Sequence, residues 1–81
     1  MELPVSKYNK GPVDCYKVVV DYGDYDIMEY YFEGSEGLRD ACSLFNYAVQ
    51  NGLNVAAAKG TLNEGSNFGL INDWEEYSLR S

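Results

Sequence analysis

The segment comprising residues 35–52 constrains the fold most, because its apolar residues recur with the period of an α-helix. Ser35 is a favourable N-cap residue, Glu36 suits the positive end of a helix dipole, and Asn51-Gly52 can adopt the left-handed conformation that closes a helix. The segment therefore predicts an amphipathic helix of about four turns whose apolar face must pack on another layer. That face comprises Leu38, Ala41, Cys42, Phe45, Ala48 and Val49.

The residues before this helix predict a β-hairpin. β-Branched and aromatic residues alternate over residues 15–22, Gly23-Asp24-Tyr25 forms the turn, and residues 26–33 form the return strand. This loop of three residues places the bulky side chains of both strands on one face, whereas a loop of two would divide them between the faces. We expect the helix to pack on this bulky face, which comprises Tyr16, Val18, Val20, Met28, Tyr30 and Phe32.

The chain after the helix predicts further strands. Residues 53–58 alternate as a third strand that ends at Lys59-Gly60, and Thr61-Leu62 is compatible with the start of another. Residues 68–71 predict a short fourth strand.

The C-terminal residues have two readings. Asp73 and Glu76 have the spacing of a capping box, so residues 74–79 are either a short helix or an edge strand. The whole chain predicts an α+β fold in ββαββ order. In that fold a β-hairpin is followed by one amphipathic helix, which packs on a small antiparallel sheet of three to four strands.

A chain of 81 residues has room for one hydrophobic core and therefore for one domain. Residues 1–13 contain both prolines and no apolar period, so they predict an extended lead-in arm before a single α+β domain at residues 14–81. The first residues lack the basic and apolar stretches of a secretory signal.

Cys15 falls on the strand phase opposite the core, and Cys42 falls on the buried helix face. We therefore expect two separate reduced thiols and a cytoplasmic location.

The charge of the chain is strongly negative and is concentrated around the hairpin. The formal net charge is −7, and eight acidic residues but only two basic ones lie between positions 14 and 40. A field of this sign repels nucleic acid and anionic membranes and attracts basic protein surfaces. The hairpin face opposite the core mixes carboxylates with aliphatic residues and a tyrosine: it comprises Lys17, Val19, Asp21, Ile27, Glu29, Tyr31 and Glu33.

Catalytic and ligand-binding chemistry finds little support in the residues. The chain has no histidine, which removes the commonest general base and the commonest transition-metal ligand. Residues 34–37 have the position of a phosphate-binding loop but lack its glycine pattern and its lysine, which favours helix capping. Asp21, Asp24 and Asp26 cluster at the turn, but their spacing differs from that of an EF-hand loop and favours a solvated turn over a calcium site. We expect no enzymatic activity, no cofactor and no metal ion.

Eight tyrosines add a second element to a candidate binding surface. Base stacking on nucleic acid would need a basic groove, and the clustered lysines, Lys7 and Lys10, lie on the lead-in arm. Tyr25, Tyr31 and Tyr47 fall on exposed phases, where protein interfaces favour tyrosine because it buries much area with little loss of rotamer entropy. Alternate residues of a strand lie about 6.6 Å apart, which is close to the separation of neighbouring phosphates. The hairpin carboxylates can therefore present a phosphate-like array.

In size, acidity, lack of catalytic residues and α+β layout, the chain resembles small inhibitor proteins encoded by phages and mobile elements, including anti-CRISPR and anti-restriction proteins that mimic nucleic acid. The resemblance lies in composition and architecture and carries over no individual residue. It implies a cytoplasmic inhibitor that occupies a basic nucleic-acid-binding surface of a host protein, with no direct contact to nucleic acid or membrane. We expect the hairpin to make this contact through Asp21, Asp24, Tyr25, Asp26, Glu29, Tyr31, Glu33 and Glu36.

Two other classes of function compete with this hypothesis. A structural or assembly protein would form a homodimer through an edge strand or an exposed sheet face, and Val19, Ile27 and Tyr31 provide an apolar patch for it. An enzyme would need an activated thiol at Cys15. The salt dependence of partner binding, the mass of the particle in solution and the alkylation rate of that thiol separate the three hypotheses.

Overall fold

The structure is a computed structural model that describes residues 12–80. Within this range the chain forms β1 (Val13–Asp21), β2 (Ile27–Glu33), α1 (Gly34–Gln50), β3 (Asn54–Leu62), a 3₁₀ helix (Phe68–Leu70) and β4 (Glu75–Glu76). The strands make one antiparallel sheet in the order β2-β1-β3-β4, and α1 packs on one face of it. The predicted α+β fold in ββαββ order is confirmed. The predicted lead-in arm lies outside the described residues except for Pro12 and Val13, and Val13 already belongs to β1.

The hairpin has the predicted register and the predicted loop. Val18 lies opposite Tyr30, and the same alternation runs along both strands. The turn Gly23-Asp24-Tyr25 is closed by a hydrogen bond of 2.8 Å that the Asp26 amide donates to the Gly23 carbonyl. The φ angles of the three turn residues are 93°, 52° and 65°, so all three lie in the left-handed region.

The core lies between α1 and the face of the sheet that the helix covers. Its buried residues are Tyr16, Val18, Val20, Ala41, Phe45, Ala48, Ala57 and Leu79. Val18 and Val20 have no exposed surface, since the alanines above them let the helix approach the strand closely. Met28, a predicted core residue, is 45% exposed because β2 is at the edge of the sheet, where the helix covers it less.

The prediction of Ser35 as the N-cap of the helix is wrong. The N-cap position is Glu33, and no side chain makes a capping hydrogen bond there. Gly34 turns the chain from β2 directly into α1. Its φ angle of 73° is unfavourable for any residue that carries a Cβ atom. The other end closes as predicted, with a hydrogen bond of 2.9 Å from the Leu53 amide to the Ala48 carbonyl that is typical of a Schellman motif.

Strand β3 is continuous, and the predicted break at Lys59-Gly60 is wrong. The strand pairs with β1 along its whole length. A Cβ atom on Gly60 would lie 2.7 Å from Cγ2 of Ile71 and 2.9 Å from Cε3 of Trp74. The glycine therefore provides room for the C-terminal segment, which we define as residues 67–80, to lie directly on the strand.

The first part of the C-terminal segment covers the outer face, by which we mean the sheet face opposite α1. Residues 68–71, a predicted strand, contain the 3₁₀ helix instead. The ring centroid of Phe68 lies 5.5 Å from that of Tyr31, and the Lys17 ammonium lies 4.8 Å from the ring centroid of Trp74. The cover buries Cys15, which has no exposed surface.

The second part of the C-terminal segment forms an edge strand and then reaches the helix side of the sheet. The predicted capping box is wrong, because the Asp73 carboxylate accepts a hydrogen bond of 2.9 Å from the Thr61 amide of β3. Strand β4 pairs with β3, which confirms the edge-strand reading. The ring centroid of Tyr77 then lies 5.9 Å from that of Tyr16, and Leu79 is buried in the core. The segment thus wraps around the free side of β3.

Replacing Gly60 by alanine tests this close approach. We expect the free energy of unfolding to fall by about 1 to 3 kcal/mol, because the new methyl group pushes Ile71 and Trp74 away from β3. Trp74 is the single tryptophan of the chain, and its displacement exposes it to water. The fluorescence emission of the native state should therefore shift to longer wavelength. The control is Ala56→Ser, which alters an exposed position of the same strand outside this contact. Unchanged stability and emission in Gly60→Ala would contradict the packing.

Candidate protein-binding surface on the hairpin

The hairpin tip, which we define as Gly23-Asp24-Tyr25, presents a tyrosine that contacts almost nothing. The Tyr25 side chain is 102% exposed. The residue also has a left-handed φ angle, which costs a non-glycine residue about 1 to 2 kcal/mol. Asp24 and Asp26 are the sequence neighbours of Tyr25, and both are exposed. The sequence therefore places a large ring and two carboxylates together at the end of the hairpin, at a cost in stability.

The carboxylates at the hairpin tip and on β2 lack cationic partners within residues 12–80. The one ion pair in this range joins the ammonium of Lys59 to the carboxylate of Asp14 at 3.7 Å, away from the hairpin tip. The Asp21 carboxylate accepts a hydrogen bond of 2.9 Å from the Gly23 amide, which stabilises the turn but leaves the charge in place. The negative field of the tip is therefore not neutralised by the described part of the chain.

The eight predicted contact residues do not form one row. Asp21, Asp24, Tyr25 and Asp26 meet at the tip. Glu33 is half-buried at the far end of β2, and Glu36 is exposed in the first turn of α1, so both lie about 20 Å from the tip. On β2 itself Tyr31 stands between the two glutamates, which sets them about 13 Å apart rather than at the spacing of neighbouring phosphates. The predicted residues thus form two groups, one at the exposed tip and one along the outer face of β2, where Glu29, Tyr31 and Glu33 lie.

Tyr31 is held by the C-terminal segment and is only 40% exposed. Its ring packs against Phe68 and Trp74, with centroid distances of 5.5 and 6.0 Å. Its hydroxyl donates a hydrogen bond of 3.1 Å to Oε1 of Glu29. Burial, followed by this hydrogen bond, raises the pKa of the Tyr31 phenol. The residue therefore anchors the segment and orients Glu29, and only part of its ring is available to a partner.

A further exposed aromatic group that the sequence did not predict lies on the helix side, next to the hairpin tip. The hydroxyls of Tyr22 and Tyr30 are hydrogen-bonded at 2.9 Å, and this bond is the main cause that raises the pKa of Tyr22 to about 12. Tyr22 is 38% exposed, Met28 is 45% exposed and Tyr47 of α1 is 57% exposed. The alternation of the hairpin residues Tyr22, Tyr30 and Met28 indicates a core face, and the edge position of β2 leaves them partly open to solvent. Tyr47 lies on the exposed helix phase that the sequence predicts.

A second acidic group lies at the other side of the sheet and depends on the C-terminal segment. Asp73, Glu75 and Glu76 line an open cleft of about 420 Å³ together with Asp14 and Lys59. The hydrogen bond from the Thr61 amide lowers the pKa of the Asp73 carboxyl. Within residues 12–80 no group of three or more histidine, cysteine, aspartate or glutamate side chains is arranged to hold a metal ion.

The two cysteines are separate thiols, as predicted. Cys15 lies on the predicted phase, opposite the helix, but the C-terminal segment buries it there. Burial, followed by the charge of Glu33, raises the pKa of the Cys15 thiol to about 11. The thiolate that a nucleophile requires is therefore scarce at neutral pH.

Comparisons of this chain with protein-family models, with curated proteins and with solved structures gave no match. Among the described residues, no helix is both long enough and apolar enough to cross a membrane.

The left-handed Tyr25 gives a prediction for stability. Tyr25→Gly should raise the free energy of unfolding by about 1 kcal/mol, because glycine adopts this φ angle without a steric penalty. The melting temperature should rise by about 4 to 8 °C, measured by circular dichroism. Tyr25→Ala is the control, since it removes the ring but keeps the Cβ atom and the penalty. An equal gain in both variants would contradict the assignment of the cost to the backbone.

The buried thiol gives a prediction for pH dependence. The unfolded chain loses the Cys15 proton near pH 9.0, whereas the folded chain keeps it up to about pH 11. Stability contributed by this group is therefore complete below pH 9 and is lost as the pH rises through this window. In urea denaturation between pH 8 and 11, Cys15→Ala should lose less stability with rising pH than the wild type. Equal pH slopes in the two proteins would contradict the shift.

Proposed function

We propose that this chain is a small, acidic, non-catalytic binding module that occupies a basic nucleic-acid-binding surface of another protein and inhibits it. The observation that carries the proposal is the hairpin tip, where a fully exposed tyrosine with a left-handed backbone stands between two carboxylates. A conformation that costs stability and buries nothing is typical of a functional site rather than of a solvated turn. On a partner, the ring would bury a large area with little loss of rotamer entropy.

The charge of the chain supports a basic partner. The chain has a net charge of −7, and the carboxylates at the hairpin tip and on β2 have no cationic partner within residues 12–80, so the surface attracts cationic proteins from a distance. A groove that binds nucleic acid is rich in arginine and lysine, and arginine can also pack on the face of an exposed tyrosine. Binding should therefore be fast at low ionic strength and should weaken as salt rises.

The absence of histidine and the buried state of the Cys15 thiol support binding rather than catalysis. The resemblance in size, acidity and layout to phage-encoded anti-CRISPR and anti-restriction proteins extends the proposal. In that form the chain is an inhibitor encoded by a phage or mobile element, and it acts on a defence protein in the cytoplasm of the host.

Amide substitutions test the role of the hairpin. The probes are purified basic nucleic-acid-binding proteins with fluorescent DNA, whose release is measured by fluorescence anisotropy at low and high salt. The variant Asp24→Asn, Asp26→Asn, Glu29→Gln and Glu33→Gln should no longer displace DNA, because it loses the attraction to the basic groove. A charge-matched control carries Asp40→Asn, Glu64→Gln, Glu75→Gln and Glu76→Gln and should retain displacement. Equal activity of the two variants would overturn the assignment to the hairpin.

The tyrosine at the tip gives a second prediction of binding. Tyr25→Gly should weaken binding about 30-fold, because it removes the ring that anchors the contact. The same variant folds more stably than the wild type if the left-handed penalty is relieved. Reduced binding with increased melting temperature would therefore separate a lost contact from a damaged fold. Unchanged affinity would show that the ring lies outside the interface.

A second candidate function is assembly of copies of this chain. It is favoured by the edge position of β2 and by Ile27, which is 57% exposed on the outer face beside the half-buried Val19. Assembly as the function requires multimers of the purified chain that displace no DNA from a basic partner, so DNA displacement measured together with sedimentation mass distinguishes it from inhibition.

A further inference from the structure

Strand β2 has one edge without a partner among the described residues. It pairs with β1 on one side and is the first strand in the order of the sheet. Within residues 12–80 no loop or terminal segment donates or accepts a backbone hydrogen bond on its other side. The opposite edge of the sheet differs, because β4 and the rest of the C-terminal segment cover β3 there.

The edge of β2 lacks most of the devices that prevent strands from pairing. The strand contains no proline, glycine or lysine, and its pairing with β1 proceeds without a bulge. Five of its seven residues are aromatic, β-branched or long and apolar, which favours extended pairing. The charges that it does carry, Glu29 and Glu33, restrict which partners and which registers fit.

We propose that β2 is a self-association surface, on which two copies of the chain pair β2 with β2 antiparallel about a two-fold axis at Tyr30. The two sheets would then form one continuous sheet of eight strands. This interface uses the strand edge and leaves the hairpin tip free, but Glu29 and Glu33 belong both to it and to the proposed inhibitory surface. The dimer is therefore tested by the mass of the particle and not by displacement of DNA.

The positions of the glutamates and the length of β2 together select this register. Along a strand, alternate residues direct their backbone N–H and C=O groups toward the same edge. In an antiparallel pair the residues that direct these groups toward the partner lie opposite one another, so the two-fold axis must pass through a residue and not between two residues. Centring on Glu29 places that glutamate opposite its own copy, and centring on Tyr31 places Glu29 opposite Glu33. Centring on Met28 or Phe32 separates the glutamates but pairs only three residues of each strand. Centring on Tyr30 pairs all seven residues and places no two carboxylates directly opposite.

The contacts made in this register suit the exposed side chains. Met28, which is 45% exposed, lies opposite Phe32 of the second copy on the helix side. On the outer face Glu29 lies opposite Tyr31, whose hydroxyl already donates to Glu29 within one chain. The remaining repulsion comes from glutamates on diagonal positions, about 7 to 8 Å apart, and from the net charge of each copy. Salt screens both, so the dimer should become tighter as salt rises.

This salt dependence separates the dimer from the inhibitory contact, which weakens with salt. Sedimentation equilibrium of the full chain, with NaCl from about 0.05 M to about 1 M, should show a dimer whose dissociation constant falls as NaCl increases. A monomer at every salt concentration, up to about 1 mM chain, would overturn the proposal. A dimer that weakens with salt would also overturn it.

Charge substitutions at Ile27 test the register, because this exposed residue lies opposite Glu33 of the second copy. Ile27→Glu should weaken the dimer about tenfold by opposing two pairs of carboxylates, and Ile27→Lys should strengthen it at low salt. Adding Glu33→Lys to Ile27→Glu should restore dimerisation. Absence of this rescue would reject the Tyr30-centred register.

The matched controls lie on the same outer face but away from the edge. Ala56→Glu and Ala56→Lys on β3 change the net charge by the same amounts at an exposed position and should leave the edge dimer unchanged. If Ala56→Glu abolishes the dimer while Ile27→Glu does not, the copies stack through their outer faces, and the edge proposal fails. Tyr25→Gly should not affect the dimer, because the hairpin tip lies outside the paired strands.

Discussion

The whole domain depends on β1 being paired at both edges and covered on both faces. Val18 and Val20 are buried under α1 on one face, and Cys15 is buried under the C-terminal segment on the other. Strands β2 and β3 pair along both edges of β1, so the register of each is fixed relative to a strand that cannot shift without exposing its core. The hairpin tip is therefore a small exposed loop carried on a rigid base.

The parts of the fold that could be predicted from the sequence are those in which partners are near neighbours along the chain. The helix and the register of the hairpin follow from apolar periods of 3.6 and 2, and burial of one face removes the alternatives. The edge strand in the C-terminal segment was one of two predicted alternatives, but the path of residues 68–71 was predicted wrongly because their contacts join residues far apart in sequence, such as Phe68 and Tyr31. Gly60 illustrates the difficulty: a glycine that normally marks the end of a strand instead accommodates the side chains of Ile71 and Trp74.

The candidate site was predictable in composition but not in arrangement. Acidic residues at a turn are exposed in almost any fold, so the carboxylates at the tip follow from the sequence. The half-buried state of Glu33 and the anchoring role of Tyr31 do not, since both depend on packing against other elements. Tyr25 departs from local turn preferences, which favour glycine or asparagine at a left-handed position. That departure is the most informative feature of the surface, because residues that conflict with the local backbone conformation occur most often at functional sites.

The path of the C-terminal segment has a consequence for how the domain holds together. Trp74 docks on one face of the sheet and Leu79 on the other, with only β4 and a few residues between them. Because this connection is short, a side chain that leaves its position on the sheet stays close to it as long as the other side chain remains bound. It therefore rebinds at a high effective concentration. The two weak attachments therefore release together rather than singly, and a small domain gains part of the benefit of a cross-link without a covalent bond.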